Sequence, residues 1–244
     1  MRKLVSIAVA AVLLSATSAF AEESGVFLGA EIGYGGEKHE TKTAGIIAQA
    51  FANGATSATL KHDGGGIKYG VVVGYKQFFT QYFGLRYYAN VSIMHGNLKN
   101  DDYIGTIWKT RLNGNLINYG ANVDFLANFV ANETLDFGAF IGLGIGGNTW
   151  SSKDLDDFED REVATVAQAV GQIWKLSKTS FDLSLNVGLR TNIATHHGIE
   201  LVAKVPFLET KLLDKSVSMN GNSGSVKSTL THTFSVTARY IFSF

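Results

Sequence analysis

Phe234-Ser235-Val236-Thr237-Ala238-Arg239-Tyr240-Ile241-Phe242-Ser243-Phe244 alternates at every step. Phe234, Val236, Ala238, Tyr240, Phe242 and Phe244 share one face. Ser235, Thr237, Arg239, Ile241 and Ser243 share the other, and a two-residue period defines a strand with two unlike faces. In a water-soluble protein the aromatic face would fill a core. In an outer-membrane barrel it would meet lipid.

The opposite end of the chain bears on the compartment. Arg2 and Lys3 precede an apolar run from Leu4 to Leu14, and Ala19-Phe20-Ala21 forms an A-x-A site. This is the pattern of a secretory signal peptide, residues 1–21, cleaved after Ala21. The run is shorter than the ~20 residues of a spanning helix. The remaining chain, 22–244, carries a formal charge of −2 and fits one domain. That balance excludes nucleic acid as an expected partner. Cysteine is absent, so disulfides and thiolate chemistry are excluded. With 27 Gly and a single Pro, the composition disfavours long helices and suits uninterrupted strand ladders.

The same alternation recurs along the chain. It predicts strands over about 25–35, 66–79, 83–96, 116–128, 135–148, 163–176, 181–192 and 234–244, the sixth alternating least clearly. Each has about the ~9–11 residues of a tilted spanning strand. One face is apolar and aromatic, with Tyr34, Tyr75, Phe83, Phe125, Phe137 and Phe181 placed for interfacial girdles. The other carries Gly, Asn, Ser and charges. Short turns near Gln81, Asn132 and Lys178 alternate with long polar segments at 36–65, 97–115 and 149–162. The expected fold is all-β: a transmembrane antiparallel up-and-down barrel of eight strands, with short periplasmic turns and long extracellular loops. Residues 199–206 also alternate and would make a ninth strand. Because single-chain barrels have even counts, 193–230 is assigned to one long excursion. Ten strands, the tenth from 208–218, is the alternative.

Three blocks resemble one family together. They are Gly74-Tyr-Lys-Gln-Phe-Phe79 with Gly84-Leu-Arg-Tyr-Tyr88, Tyr119-Gly-Ala-Asn-Val-Asp-Phe-Leu126, and the span from Asn186 to Phe207, NVGLRTNIATHHGIELVAKVPF. They resemble the Helicobacter outer-membrane protein family, the Hop-like barrels. The resemblance implies an outer-membrane barrel and a porin or adhesin role. The large adhesins of the family insert a helical domain near the first strand, where this chain has only 36–65. The terminal aromatics Tyr240, Phe242 and Phe244 resemble the signal by which such barrels are recognised for assembly. The partners so implied are outer-membrane lipid, the barrel-assembly machinery with periplasmic chaperones, and a host surface ligand.

The inward faces carry Lys68, Lys76, Arg86, Arg190 and Arg239 against Glu31, Asp124, Asp136 and Asp182. An eight-stranded interior is just wide enough for side chains to fill. Mixed charges there are expected to pair, forming a polar plug. The other reading is a narrow pore whose selectivity they set. His196 and His197 are candidates for metal or acid–base chemistry, but adjacent strand residues point to opposite faces. No nucleophile motif accompanies them. His39, His62, His95 and His232 show no informative spacing. Gly142 to Gly147 lacks the helix and acid of a nucleotide loop. The acidic run Asp154, Asp156, Asp157, Glu159, Asp160 lacks the Gly and Glu of a calcium loop. Ala44 to Ala52 is readable as a short surface helix or a lid. Ile104, Ile107 and Trp108 are read as exposed loop residues. No catalytic residue, cofactor or metal is expected. The expected function is a non-enzymatic surface protein, with a small porin as the alternative and a lipid-modifying enzyme behind both.

Overall fold

Alternation becomes a closed sheet in the computed structural model, which describes residues 24–51, 54–98, 103–104, 108–109, 113–132, 135–193, 196–219 and 221–244. The expected signal peptide and Ile107 lie outside the described residues, as do the side chains of Ile104 and Trp108. The strands are β1 (Gly25–Gly45), β2 (Ser57–Phe78), β3 (Phe83–Leu98), β4 (Asn115–Ala131), β5 (Leu135–Ser151), β6 (Thr179–Ile193), β7 (His197–Pro206), β8 (Thr210–Met219) and β9 (Asn222–Ser243). All pair antiparallel in the order β1-β2-β3-β4-β5-β6-β7-β9-β8, and β1 also pairs with β9. Eight strands therefore close the ring. β8 continues the line of β7 along β9: Lys204 faces Ser235, and Thr210 faces Leu230. The break at 207–209 follows Pro206, the chain's one proline, which has no N–H to donate.

The sheet has nine strands, eight of them in the closed ring, and one expected member is replaced by another. Residues 163–176 are not a strand. Lys153–Phe158 (α2), a π-helical turn Glu159–Val163 and Ala164–Ala169 (α3) run on as one helical segment. The weak alternation there has a cause: Val163, Val166, Ala167 and Val170 follow helical spacing. Ser152 caps α2 by accepting from Leu155 N at 3.1 Å, with Asp154 and Asp156 in the favoured first turn. The missing strand is β7, so 193–230 is not one excursion. The long hairpin 36–65 is likewise mostly strand. β1 and β2 run to 21 and 22 residues around a short helix, Ile46–Phe51 (α1). Gly45 (φ 61°) makes the turn into α1 in a conformation that other residues avoid.

The two faces sort as the alternation requires. Outward apolar side chains are open: Ile32 is 62% exposed and Leu143 57%. So many exposed aliphatics form a band far larger than the apolar patches of soluble proteins, and lipid is the medium that suits it. The band carries Tyr34, Phe83, Phe125, Phe137 and Phe181 on its outside, while Tyr75 is half-buried. The chain passes from β2 to β3, from β4 to β5 and from β6 to β7 at the short end. β1, β2 and β9 are about twice the ~9–11 residues of a span, so their upper halves stand beyond the band. There the outward residues become Lys38, Glu40, Lys42, Lys61 and Lys227.

Candidate functional site

The interior has two layers. The lower, polar layer fills the lumen within the membrane band. Antiparallel register puts opposite charges directly across neighbouring strands: Glu31 faces Arg239, Arg239 faces Glu200, Glu200 faces Arg190, and Arg86 faces Asp124. Arg239 Nη2 reaches Glu31 at 2.8 Å, and its Nη1 reaches Glu200 at 3.4 Å. Arg86 donates to Asp124 at 2.6 Å and crosses the lumen to Glu200. Arg190 lies 3.9 Å from Glu200 and donates to Asn128 at 2.8 Å. One carboxylate, Glu200, thus serves three guanidiniums.

Aromatic faces complete the packing. The Arg86 guanidinium lies 4.6 Å from the centre of Phe140 and 5.1 Å from that of Tyr88, which suits cation–π attraction. Glycine makes this possible on the adjacent strand: a Cβ at Gly188, the register partner of Phe140, would stand 2.5 Å from the Phe140 ring. Higher up, Lys204 binds Asp182 at 2.9 Å, and Lys68 binds Glu31 at 3.7 Å and Ser235 at 3.1 Å. A chain of amides links the walls. Asn186 donates to Asn122 (2.9 Å), Asn122 to Asn90 (2.8 Å), and Asn118 to Asn148 (2.8 Å). Among the described residues, two of the voids beside these side chains measure about 10 Å³, each with room for about one water.

The structure brings Glu31, Lys68, Arg86, Asp124, Asp182, Arg190 and Arg239 into this network. Lys76 and Asp136 are buried on the same inner wall nearer the short turns. Sequence reasoning missed Glu200 and Lys204 because their strand was read as loop. Their parity with Val202 and Pro206 was the available signal.

The upper layer is apolar. Trp150, Leu116, Leu98, Met94, Val226, Leu230 and Leu212 of the strands pack with Ile47 of α1 and with Leu155, Phe158, Val163, Val166, Ala167 and Trp174. The segment 152–178 is thus a lid seated in the barrel mouth. Trp150 Nε1 donates to Thr210 at 2.9 Å under it. The acidic run lies on the lid's outer side, where Lys178 bridges Asp156 (2.7 Å) and Glu159 (2.9 Å). Those hydrogen bonds raise the Lys178 pKa. On the outer wall, Lys42 bonds Glu40 at 2.5 Å with Lys61 and Lys38 behind it, and this lowers the Glu40 pKa.

The histidine pair sits at the short end. His196 Nδ1 lies 2.9 Å from the Ser243 carbonyl, and His197 Nδ1 lies 2.6 Å from Tyr240 Oη. Both rings contact Phe242. The pair thus packs on the terminal strand. Phe242 and Phe244 make an edge-to-face pair, with Phe244 71% exposed. Among the described residues no group of three or more His, Asp or Glu is placed to hold a metal ion. None of their helices is long and apolar enough to cross a membrane.

The sequence profile of the Helicobacter outer membrane protein family matches residues 70–244. No curated protein matches the chain. Among solved structures, outer membrane protein OprG from Pseudomonas aeruginosa is 14% identical with a TM-score of 0.45, over 92% of this chain and 98% of that one. Ail of Yersinia pestis is 14% identical at 0.31, over 89% and 99%. Neisserial surface protein A is 12% identical at 0.36, over 91% and 100%. Likeness this distant says nothing of activity.

Proposed function

Because the chain belongs to the Helicobacter outer membrane protein family, and so is an integral protein of the bacterial outer membrane, we propose that it is a non-enzymatic surface protein with a closed barrel. The barrel anchors and orients a tall extracellular wall and its lid, which serve adhesion or contact with other envelope components. The supporting observation is the interior occupied by the charge network below and by the apolar lid above. A porin needs a continuous wet path.

Planar-bilayer recording of the refolded protein tests this. The expected trace has no stepwise current, and regular steps would establish the porin reading in its place. For the enzymatic alternative, the His196–His197 turn is engaged with Ser243, Tyr240 and Phe242, which favours a structural role. Lipid A from cells with and without the gene, compared by mass spectrometry, is expected to be identical. A missing or added acyl chain or phosphate would overturn that.

A further inference from the structure

Between the ion network and the lid, three strands bring four titratable side chains into one enclosed layer. Glu37 and His39 come from β1, His62 from β2 and His232 from β9, each at most 3% exposed. Glu37 faces His232 and His39 faces His62 across the ladders, and the second pair of rings stacks at 6.3 Å. Among the described residues, both carboxyl oxygens of Glu37 and both ring nitrogens of His62 lack a hydrogen-bond partner, while His232 has only a weak backbone contact at Phe234. Glycine makes the room. The Glu37 carboxyl lies against Gly96, where a Cβ would overlap it, and a Cβ at Gly35 would stand 3.4 Å from His232 Nε2.

Among the described residues, no positively charged side chain forms an ion pair or hydrogen bond with Glu37. β3 contributes Met94, Gly96 and Leu98, and α1 has no titratable residue. The lid's fully buried side chains are all apolar, and its acids lie at the rim or outside, with Glu162 half-buried. Below, Lys68 is held by Ser235 and Glu31, and Lys204 by Asp182. An unpaired carboxylate in such a place is costly, so the group stays protonated. Leu98, Met94 and Leu230, neighbours of this layer, belong to the same apolar cluster as Leu155, Phe158, Val163 and Val166 of the lid.

We propose that Glu37 is a proton latch for the lid: the lid seats while this carboxyl group is neutral and lets go when its proton leaves. An ionised Glu37 needs water. The route downward is filled by the ion network, so water arrives by lifting the lid.

Glu37 and His232 lie above the membrane-spanning segments. Burial raises the Glu37 pKa from 4.5 to about 8. Burial first, then the Lys68 and Lys204 charges, hold His232 well below its ordinary 6.5. With the lid open, both return to ordinary values. A carboxyl raised in the closed state favours closure fully below pH 4.5, and that advantage is lost as pH rises through 8. His232, depressed in the closed state, acts with the opposite sign and offsets Glu37 between 4.5 and 6.5. Above 6.5 Glu37 governs alone. The opening constant of the lid should then rise about tenfold between roughly pH 6.5 and 8.5.

Hydrogen exchange of the 155–167 amides, in the refolded protein in lipid nanodiscs and corrected for intrinsic pH dependence, reads this constant. The wild type is expected to show the rise. Glu37→Gln, neutral at every pH, is expected to show none. In His232→Gln the rise should begin two units lower, near pH 4.5. Equal wild-type protection at both pH values, or an unchanged rise in Glu37→Gln, would overturn the latch. Should Glu37→Gln fail to fold, a His232→Gln profile identical to wild type would overturn it alone.

Discussion

Glu200→Gln takes one negative charge from the densest part of the lumen and keeps the side chain's size. The Glu200 side chain is 3% exposed and is shared by Arg86, by Arg239 at 3.4 Å and by Arg190 at 3.9 Å. Its loss takes one carboxylate partner from Arg190 and one of two from each of Arg86 and Arg239. In a dry interior, removing one member of a buried ion pair costs about 3–5 kcal/mol. In a water-filled channel the same pairs would be worth about 0–1 kcal/mol. The substitution therefore separates a filled lumen from a wet one. Urea unfolding of the refolded protein in phospholipid vesicles, followed by tryptophan fluorescence, measures the difference. A loss of about 3–5 kcal/mol is expected for Glu200→Gln. Adding Arg190→Met removes one of the three cations that share Glu200 and should restore part of it. The surface variant Glu40→Gln, on the outer wall, should change stability by no more than about 1 kcal/mol. A loss below about 1 kcal/mol for Glu200→Gln would mean that water already serves these guanidiniums, and the closed-lumen reasoning would fail.

Phe158→Ala removes a ring that is 1% exposed at the centre of the lid. It should cost the lid about 3–5 kcal/mol, seen as protease cleavage within 152–178 while the barrel keeps its heat-modifiable migration on gels. Cleavage no faster than wild type would show that the lid is not held by this cluster. Gly188→Val, which forces side-chain atoms toward Phe140 and the β7 backbone, should destabilise by about 1–3 kcal/mol in urea; an unchanged midpoint would contradict the close approach. His197→Ala loses the Tyr240 contact at 2.6 Å and should cost about 0.5–1.5 kcal/mol, with a larger loss pointing to a role beyond that hydrogen bond.

Much of the barrel was legible because its signal is local. On β2 to β6, lipid and lumen alternate with the pleat, so Ile67, Tyr69, Val71 against Lys68, Gly70, Val72 can be sorted by counting. The errors arose where counting was overruled. With 163–176 counted as a strand, the even-strand rule leaves no place for 197–206. Testing the false strand for a 3.6-residue period would have found Val163, Val166, Ala167 and Val170 on one helical face. The upper halves of β1 and β2 resemble loop in sequence because their outward residues, Lys38 to Lys42 and Lys61 to Asp63, face water and lose the apolar mark that identifies a lipid-facing strand.

The sequence by itself determined the membrane face of this protein and the residue types of its lumen. Those follow from a two-residue period that each strand carries alone. Only the tertiary structure decided which lumen charges meet. Pairing depends on register and on reach across the barrel, as Arg86 shows by crossing to Glu200. It also decided that Glu37, His39, His62 and His232 share one closed layer. Their separation along the chain, up to 195 residues, carries no trace of the ring closure of β1 on β9 that brings them together.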